Sequence, residues 1–135
     1  TSRNLFTIMY QDSTERFFIN LTNHPSGKWG AKQLEAASVY GRIIDMPFPE
    51  IKASDSEQEI NTIVNKHIEY IEQNFDKNNT TIHIMGEFTF SFAIIKLLKE
   101  KGYKCVASTT ERIVTENEDG TKSVTFSFEQ FREYL

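Results

Sequence analysis

Cysteine is all but missing: Cys105 stands alone. No disulfide can close within the chain, which fits a reducing cytoplasm. Long apolar runs are also missing. Nothing approaches the ~20 residues that span a bilayer, and residues 5–10 are too short for the apolar core of a secretory signal. Lys and Arg never cluster, and the formal net charge is −4. Binding along a nucleic-acid backbone requires many phosphates to be neutralised. Neither a membrane nor a long nucleic acid is therefore an expected partner, whereas a small nucleotide held by a few aimed groups stays open. Metal-ligand spacings such as CxxC or HxxxH are absent, so no metal and no cofactor is expected. No repeat, low-complexity tract or linker interrupts the 135 residues, and 11 Phe supply a core, so a single domain is expected.

What is present centres on residues 81–112. Ile82, His83, Ile84 and Met85 make a short, mostly apolar run, as in a strand covered on both faces. Gly86 breaks the chain. Phe90, Ala93, Ile94, Leu97 and Leu98 then recur at spacings of three and four, the mark of a helix. Lys99 and Lys101 oppose the negative end of its dipole, and Gly102 ends it. A second strand covers residues 103–107. Such a strand–helix–strand unit implies parallel strands and a right-handed crossover.

The rest of the chain extends this alternation. Residues 17–21 read as a strand, 30–40 as a helix ended by Gly41, and 42–46 as a strand stopped by Pro47 and Pro49. Ser56 and Glu59 form a capping box that opens a helix striped by Ile60, Ile63, Val64, His67, Ile68 and Ile71. Residues 113–116 and 123–128 alternate in polarity around Asp119-Gly120, a hairpin signal. Phe131 and Tyr134, three apart, suggest a last helical turn. Residues 1–16 read as an extension or edge strand, and 17–135 as one Rossmann-like α/β domain. The expected fold is three layers with a mostly parallel sheet in the order 2-1-3-4 and a C-terminal β-hairpin at an edge or a dimer interface.

In such sheets ligands bind outside the carboxyl ends of the strands, at the switch point between the first and third. Two unusual loops would flank that crevice. In Asn23-His24-Pro25-Ser26, Asn23 and Ser26 either cap a helix or bind ligand. His24 suits a general acid/base or a phosphate donor, and Lys28 adds a positive charge. Trp29 either stacks on a base or packs on the helix. In Gly86-Glu87-Phe88, Glu87 favourably faces the helix dipole and would repel phosphate. A functional Glu87 would bind ribose or a base, or handle a proton. Ser108, Thr109 and Thr110 either meet ligand or merely finish the sheet. Arg112 is an anion clamp through its five-donor fork, or lies on the hairpin surface. His67 and His83 read as structural, and Cys105, mid-strand, as no nucleophile. The catalytic candidates are thus His24, Glu87 and Arg112. The ligand-binding candidates are Asn23, Ser26, Lys28, Gly86, Ser108, Thr109 and Thr110.

Four stretches together carry a resemblance: Asn20-Leu21-Thr22-Asn23-His24-Pro25-Ser26, Asp45-Met46-Pro47-Phe48-Pro49, Met85-Gly86-Glu87-Phe88-Thr89 and Ala107-Ser108-Thr109-Thr110-Glu111-Arg112. The chain from about Phe17 to Tyr134 resembles small CRISPR-associated proteins of the type III accessory group, related to the CARF sensor and ring-nuclease set. That resemblance implies a Rossmann-like, cytoplasmic homodimer that binds cyclic oligoadenylate at its strand ends in antiviral defence. It also implies a ring nuclease that opens the ligand without metal, through the ribose 2′-hydroxyl. It assigns no catalytic residue. The alternatives are a sensor that binds without cleaving, and a nucleoside or nucleotide hydrolase or transferase that uses Glu87.

Overall fold

The structure, a computed structural model, describes residues 15–135. The extension or edge strand expected over residues 1–16 therefore lies outside the described residues, apart from its last two positions. The elements run β1 (Phe17–Thr22), a single 3-10 turn (Ser26–Lys28), α1 (Ala31–Tyr40), β2 (Arg42–Asp45), α2 (Glu57–Asn74), β3 (Thr80–Met85), α3 (Phe88–Glu100), β4 (Lys104–Glu116) and β5 (Lys122–Glu133). Ser56 caps α2 by accepting the Glu59 amide at 3.1 Å. The Glu59 carboxylate meets the Ser56 hydroxyl rather than its backbone. Gly41, at φ 148°, joins α1 to β2 where a Cβ would fall 2.3 Å from the Arg16 backbone. Only glycine fits a conformation and an approach of that kind.

The five strands form one sheet in the order β2-β1-β3-β4-β5. β1 pairs parallel with both β2 and β3, with Ile19 opposite Ile44 on one side and Ile82 on the other. β3 and β4 are parallel only over the short register Thr81–Lys104 to His83–Val106. β4 then runs antiparallel to β5 all the way from Val106–Glu133 to Glu116–Lys122. The fold is therefore a mixed sheet curled into a half-barrel, and not the mostly parallel, Rossmann-like three-layer fold expected from the sequence. The cause lies in Ser108-Thr109-Thr110-Glu111-Arg112. This polar stretch reads as the loop after a parallel strand, but it continues β4 without a break. The hairpin is consequently half of the sheet's own flank, not an appendage.

The expected helical turn at the tail is also absent, because β5 runs to Glu133. A register shift at Thr109/Thr110 leaves an extra residue, Glu129, on β5. This bulge puts Phe128 and Phe131 on one face despite their spacing of three. Tyr134, three further on, belongs to the opposite face, where its hydroxyl donates to the Ile84 carbonyl at 2.6 Å.

Apolar clusters cover the two faces. One gathers Ile19, Leu21, Ile82, Ile84 and Cys105 under α2 and α3, with Val64, Ile68, Ile71, Phe90, Ile94 and Leu98 from the helices. The other is smaller and mostly aromatic: Phe18, Ala37, Val106 and Phe131, edged by Trp29, Tyr40 and Phe128. Because α1 is short, it covers only part of the second face. The uncovered part, toward the strands' carboxyl ends, is the crevice described next.

Candidate functional site

A crevice of about 780 Å³ opens between the segment from Asn23 to Gln33 and the β4–β5 hairpin. Its base is the carboxyl edge of the parallel strands: Thr22 from β1, His83 and Met85 from β3 with Gly86 just after it, and Ser108 from β4. Thr110, Phe126, Ser127 and Phe128 form the hairpin wall. The helix wall is His24, Lys28, Trp29 and the first turn of α1. Volumes in this range are typical of small-molecule sites.

A hydrogen-bonded lattice fixes the helix wall. Asn20, buried at the end of β1, donates through Nδ2 to the His24 carbonyl and to Asp45 Oδ1, both at 2.9 Å. Asp45 also accepts from the Ser26 amide at 3.0 Å and the Ser26 hydroxyl at 2.7 Å. Partial burial pushes the Asp45 carboxyl up, but these three hydrogen bonds outweigh it and hold the group below its ordinary value. The Thr22 hydroxyl accepts from the His24 amide at 3.1 Å and donates to Asn20 Oδ1 at 2.9 Å. The backbone of His24 is thus held from both sides where the residue lines the crevice. Asn20 and Asp45 carry the geometry of this loop. The sequence reading quotes both, yet assigns neither a role.

The charge of the lining has one sign. Among the described residues, His24, Lys28 and Lys32 line the crevice and no carboxylate does. Lys32 leans on Glu129 of β5 at 3.5 Å, across exposed surface. α1 is preceded by Gly30, which has no side chain to cap the helix. Its first turn lies at the crevice wall, with no side-chain cap and at the positive end of the dipole. That combination attracts an anion.

At the crevice base lies His83, 2 % exposed. Its ring stacks on Phe18 at 5.9 Å and meets the edges of Trp29 at 5.7 Å and Phe131 at 5.1 Å. Nδ1 is 3.0 Å from Asn20 Oδ1, and Nε2 is buried with no partner among the described residues. Burial, followed by the charge of nearby His24, pulls the imidazole down to about 4. Its alternation with Ile82 and Ile84 gives it a place in the strand, as read from the sequence. The sequence does not reveal that this place is also part of the crevice.

The remaining candidates divide. Asn23, Lys28, Gly86, Ser108 and Thr110 share the crevice with His24. Ser26 does not, because Asp45 holds it. Thr109 points away and satisfies the ladder at the bulge, its hydroxyl donating to the Gln130 carbonyl at 3.1 Å. Ser108 directs its hydroxyl to the Met85 sulfur at 3.0 Å. Gly86 has a packing reason of its own, since a Cβ there would come within 2.3 Å of the Phe48 ring. Glu87 caps α3: Oε1 accepts the Phe90 amide at 2.8 Å and both oxygens meet the Thr89 hydroxyl. The Phe90 amide, then Thr89, hold its carboxyl below the ordinary value, and it is not part of the lining. Arg112 stands opposite Phe126 on the exposed arm, beyond Thr110 and outside the lining. The structure thus separates the expected trio of His24, Glu87 and Arg112. Cys105 is buried in β4, and burial pushes its thiol up to about 12, which leaves no thiolate for nucleophilic work. Among the described residues, no helix is long and apolar enough to cross a membrane.

Residues 16–132 match the model of the uncharacterized protein MJ1673 family, and the chain belongs to that family. Neither a curated protein nor a solved structure matches it.

Proposed function

We propose that this member of the MJ1673 family binds a small phosphodiester-bearing nucleotide in the crevice, cyclic oligoadenylate, and opens it as a metal-independent ring nuclease. The observation that carries the reading is the lining: among the described residues it has cationic groups and uncapped helix amides with no carboxylate, in a chain whose net charge is −4. Such a site focuses a positive field locally. Lys28 and the first-turn amides of α1 hold a phosphate. Trp29, Phe126 and Phe128 offer aromatic surface to bases. The reading rests on this chemistry rather than on the sheet, which is not that of the Rossmann-like set.

Cleavage then needs little beyond positioning and charge stabilisation. The ribose 2′-oxygen attacks the adjacent phosphorus and the bond from phosphorus to the 5′-oxygen breaks. The products are a 2′,3′-cyclic phosphate and a free 5′-hydroxyl. The 2′-hydroxyl loses a proton and the 5′-oxygen gains one. His24 donates to the leaving oxygen, a role within the chemistry of an exposed imidazole. A two-fold ring suits a two-fold site, so the working form is a homodimer in the cytoplasm with two crevices facing one ring. The alternative hydrolase, with Glu87 as its working carboxylate, has less support because that carboxylate is engaged as a helix cap.

The test is incubation of radiolabelled cyclic tri-, tetra- and hexa-adenylate with the protein, with and without chelator. Chelator-resistant opening of one ring supports the reading. Binding without opening reduces it to a sensor. No binding to any ring overturns it.

A further inference from the structure

We propose that His83 is the crevice's hydroxyl acceptor: its Nε2 takes a hydrogen bond from a ligand ribose 2′-hydroxyl and aligns that oxygen for attack. The inference deepens the nucleotide reading and rests on it.

The proton inventory around His83 is determined by its neighbours. Both partners of Asn20 Nδ2, the His24 carbonyl and the Asp45 carboxylate, can only accept. The carboxamide is therefore oriented one way, with its Nδ2 toward them and its Oδ1 toward Thr22 and His83. A carboxamide oxygen only accepts, so His83 Nδ1 carries the ring proton. Nε2 is then a bare lone pair. It has no partner among the described residues, although the imidazole is part of the crevice wall. A buried polar atom left unpaired costs free energy that a bound donor recovers. The imidazole also stays neutral across the physiological range, because burial pulls it down to about 4. It thus offers an acceptor and not a cation. A phosphate oxygen, which only accepts, gains nothing from this atom; a hydroxyl does.

The position suits the chemistry. His83 lies at the base, while His24, Lys28 and the α1 amides stand along the helix wall. A nucleotide whose phosphate meets that wall turns its ribose toward the base. In the reaction above, Nε2 holds the 2′-hydroxyl by its hydrogen bond and aligns the oxygen for attack; the hydroxyl proton leaves to solvent as the 2′-oxygen bonds to phosphorus, and the 5′-oxygen takes a proton from His24. Asn20 and Asp45 act as positioning residues for the ring.

The experiment compares ribo- with 2′-deoxy ligands. The parent is expected to bind cyclic tetra-adenylate about tenfold more tightly than its 2′-deoxy counterpart, the effect of one hydrogen bond to a buried acceptor. His83→Phe keeps a ring among Phe18, Trp29 and Phe131. It is expected to abolish that preference while leaving affinity for the deoxy ring unchanged. Titration of [15N]His protein with adenosine monophosphate and its 2′-deoxy form supplies a second readout, in which the His83 Nε2 resonance moves with the ribonucleotide only. A parent without ribo preference, or a His83→Phe variant that retains it, overturns the assignment. If the Nε2 resonance responds to adenosine monophosphate but no ring binds, His83 keeps its role and the ring reading fails. If neither ligand binds, both fail. If His83→Phe does not fold, the resonance readout on the parent decides alone, and an Nε2 that ignores the ribonucleotide overturns the assignment.

Discussion

At the scale of the residue, His83 makes acid stability measurable. Its imidazole binds a proton near pH 6.5 when unfolded and only near about 4 when folded. Between those values the unfolded chain holds more protons, so stability rises with pH through that window and falls as pH drops from 6.5 toward 4. Below 4 both states are protonated and this group adds no further slope. The loss should total about 3 kcal/mol, read by urea titrations across the window, and His83→Phe should flatten the curve there. The groups of the helix wall make different predictions. Lys28→Ala should weaken nucleotide binding by about 1.5–3 kcal/mol if the ammonium meets phosphate directly. Arg112→Ala should leave affinity within about 0.5 kcal/mol of the parent, since the hairpin carries that side chain outside the crevice. Calorimetric titration of both variants compares the two positions. A large loss at Arg112 with none at Lys28 would relocate the site to the arm.

At the scale of the element, joints are more sensitive than faces. Gly41→Ala forces a Cβ against the Arg16 and Phe17 backbone in a conformation that disfavours side chains. It should cost about 3 kcal/mol and lower the thermal midpoint with the secondary-structure signal unchanged below it. Ser56→Ala removes a single amide partner and should cost about 1 kcal/mol. The periodic elements are legible in the sequence because each buries one stripe, as α2 does with Val64, Ile68 and Ile71. The extent of β4 is not legible. Its outer half is exposed from Thr110 on, and Ser108 to Arg112, all polar, carry no apolar alternation and look like a loop. The spacing of Phe128, Phe131 and Tyr134 misleads for a different reason: a bulge shifts the strand period, and the result imitates a helical turn.

At the scale of the whole molecule, the order of the first strands and the crevice at their carboxyl edge follow from pattern, because right-handed crossovers and switch points are general. The class of the sheet does not. It depends on how far two strands continue past the core, and there no burial restrains the sequence. Site membership was legible for the loop after β1, whose turn formers stand out. It was illegible for Asn20, Asp45 and His83, which are chemically ordinary until the fold joins a strand end, a strand edge and a neighbouring strand in one lattice. Association belongs to this scale too. A two-crevice site predicts a dimer, and light scattering should give twice the chain mass of 15.7 kDa at micromolar protein. A monomer there, with rings still bound at one per chain, would remove the partner from the reading.

The uninterrupted run of β4 and β5 from the core to Gly120 has a mechanical consequence. Thr110 and Phe128, where the bulge sits, are at once crevice wall and the base of a cantilever whose far end carries no packing load. A ligand wedged against that base would tilt the beam about the bulge, so that a small displacement at the wall became a larger one at the tip. Occupancy of the crevice would then be broadcast at Asn117-Glu118-Asp119-Gly120, far from any contact with the ligand. Spin labels on the tip and on α2 would register that swing as a change in their separation on nucleotide addition, and an unchanged separation would mean a rigid beam.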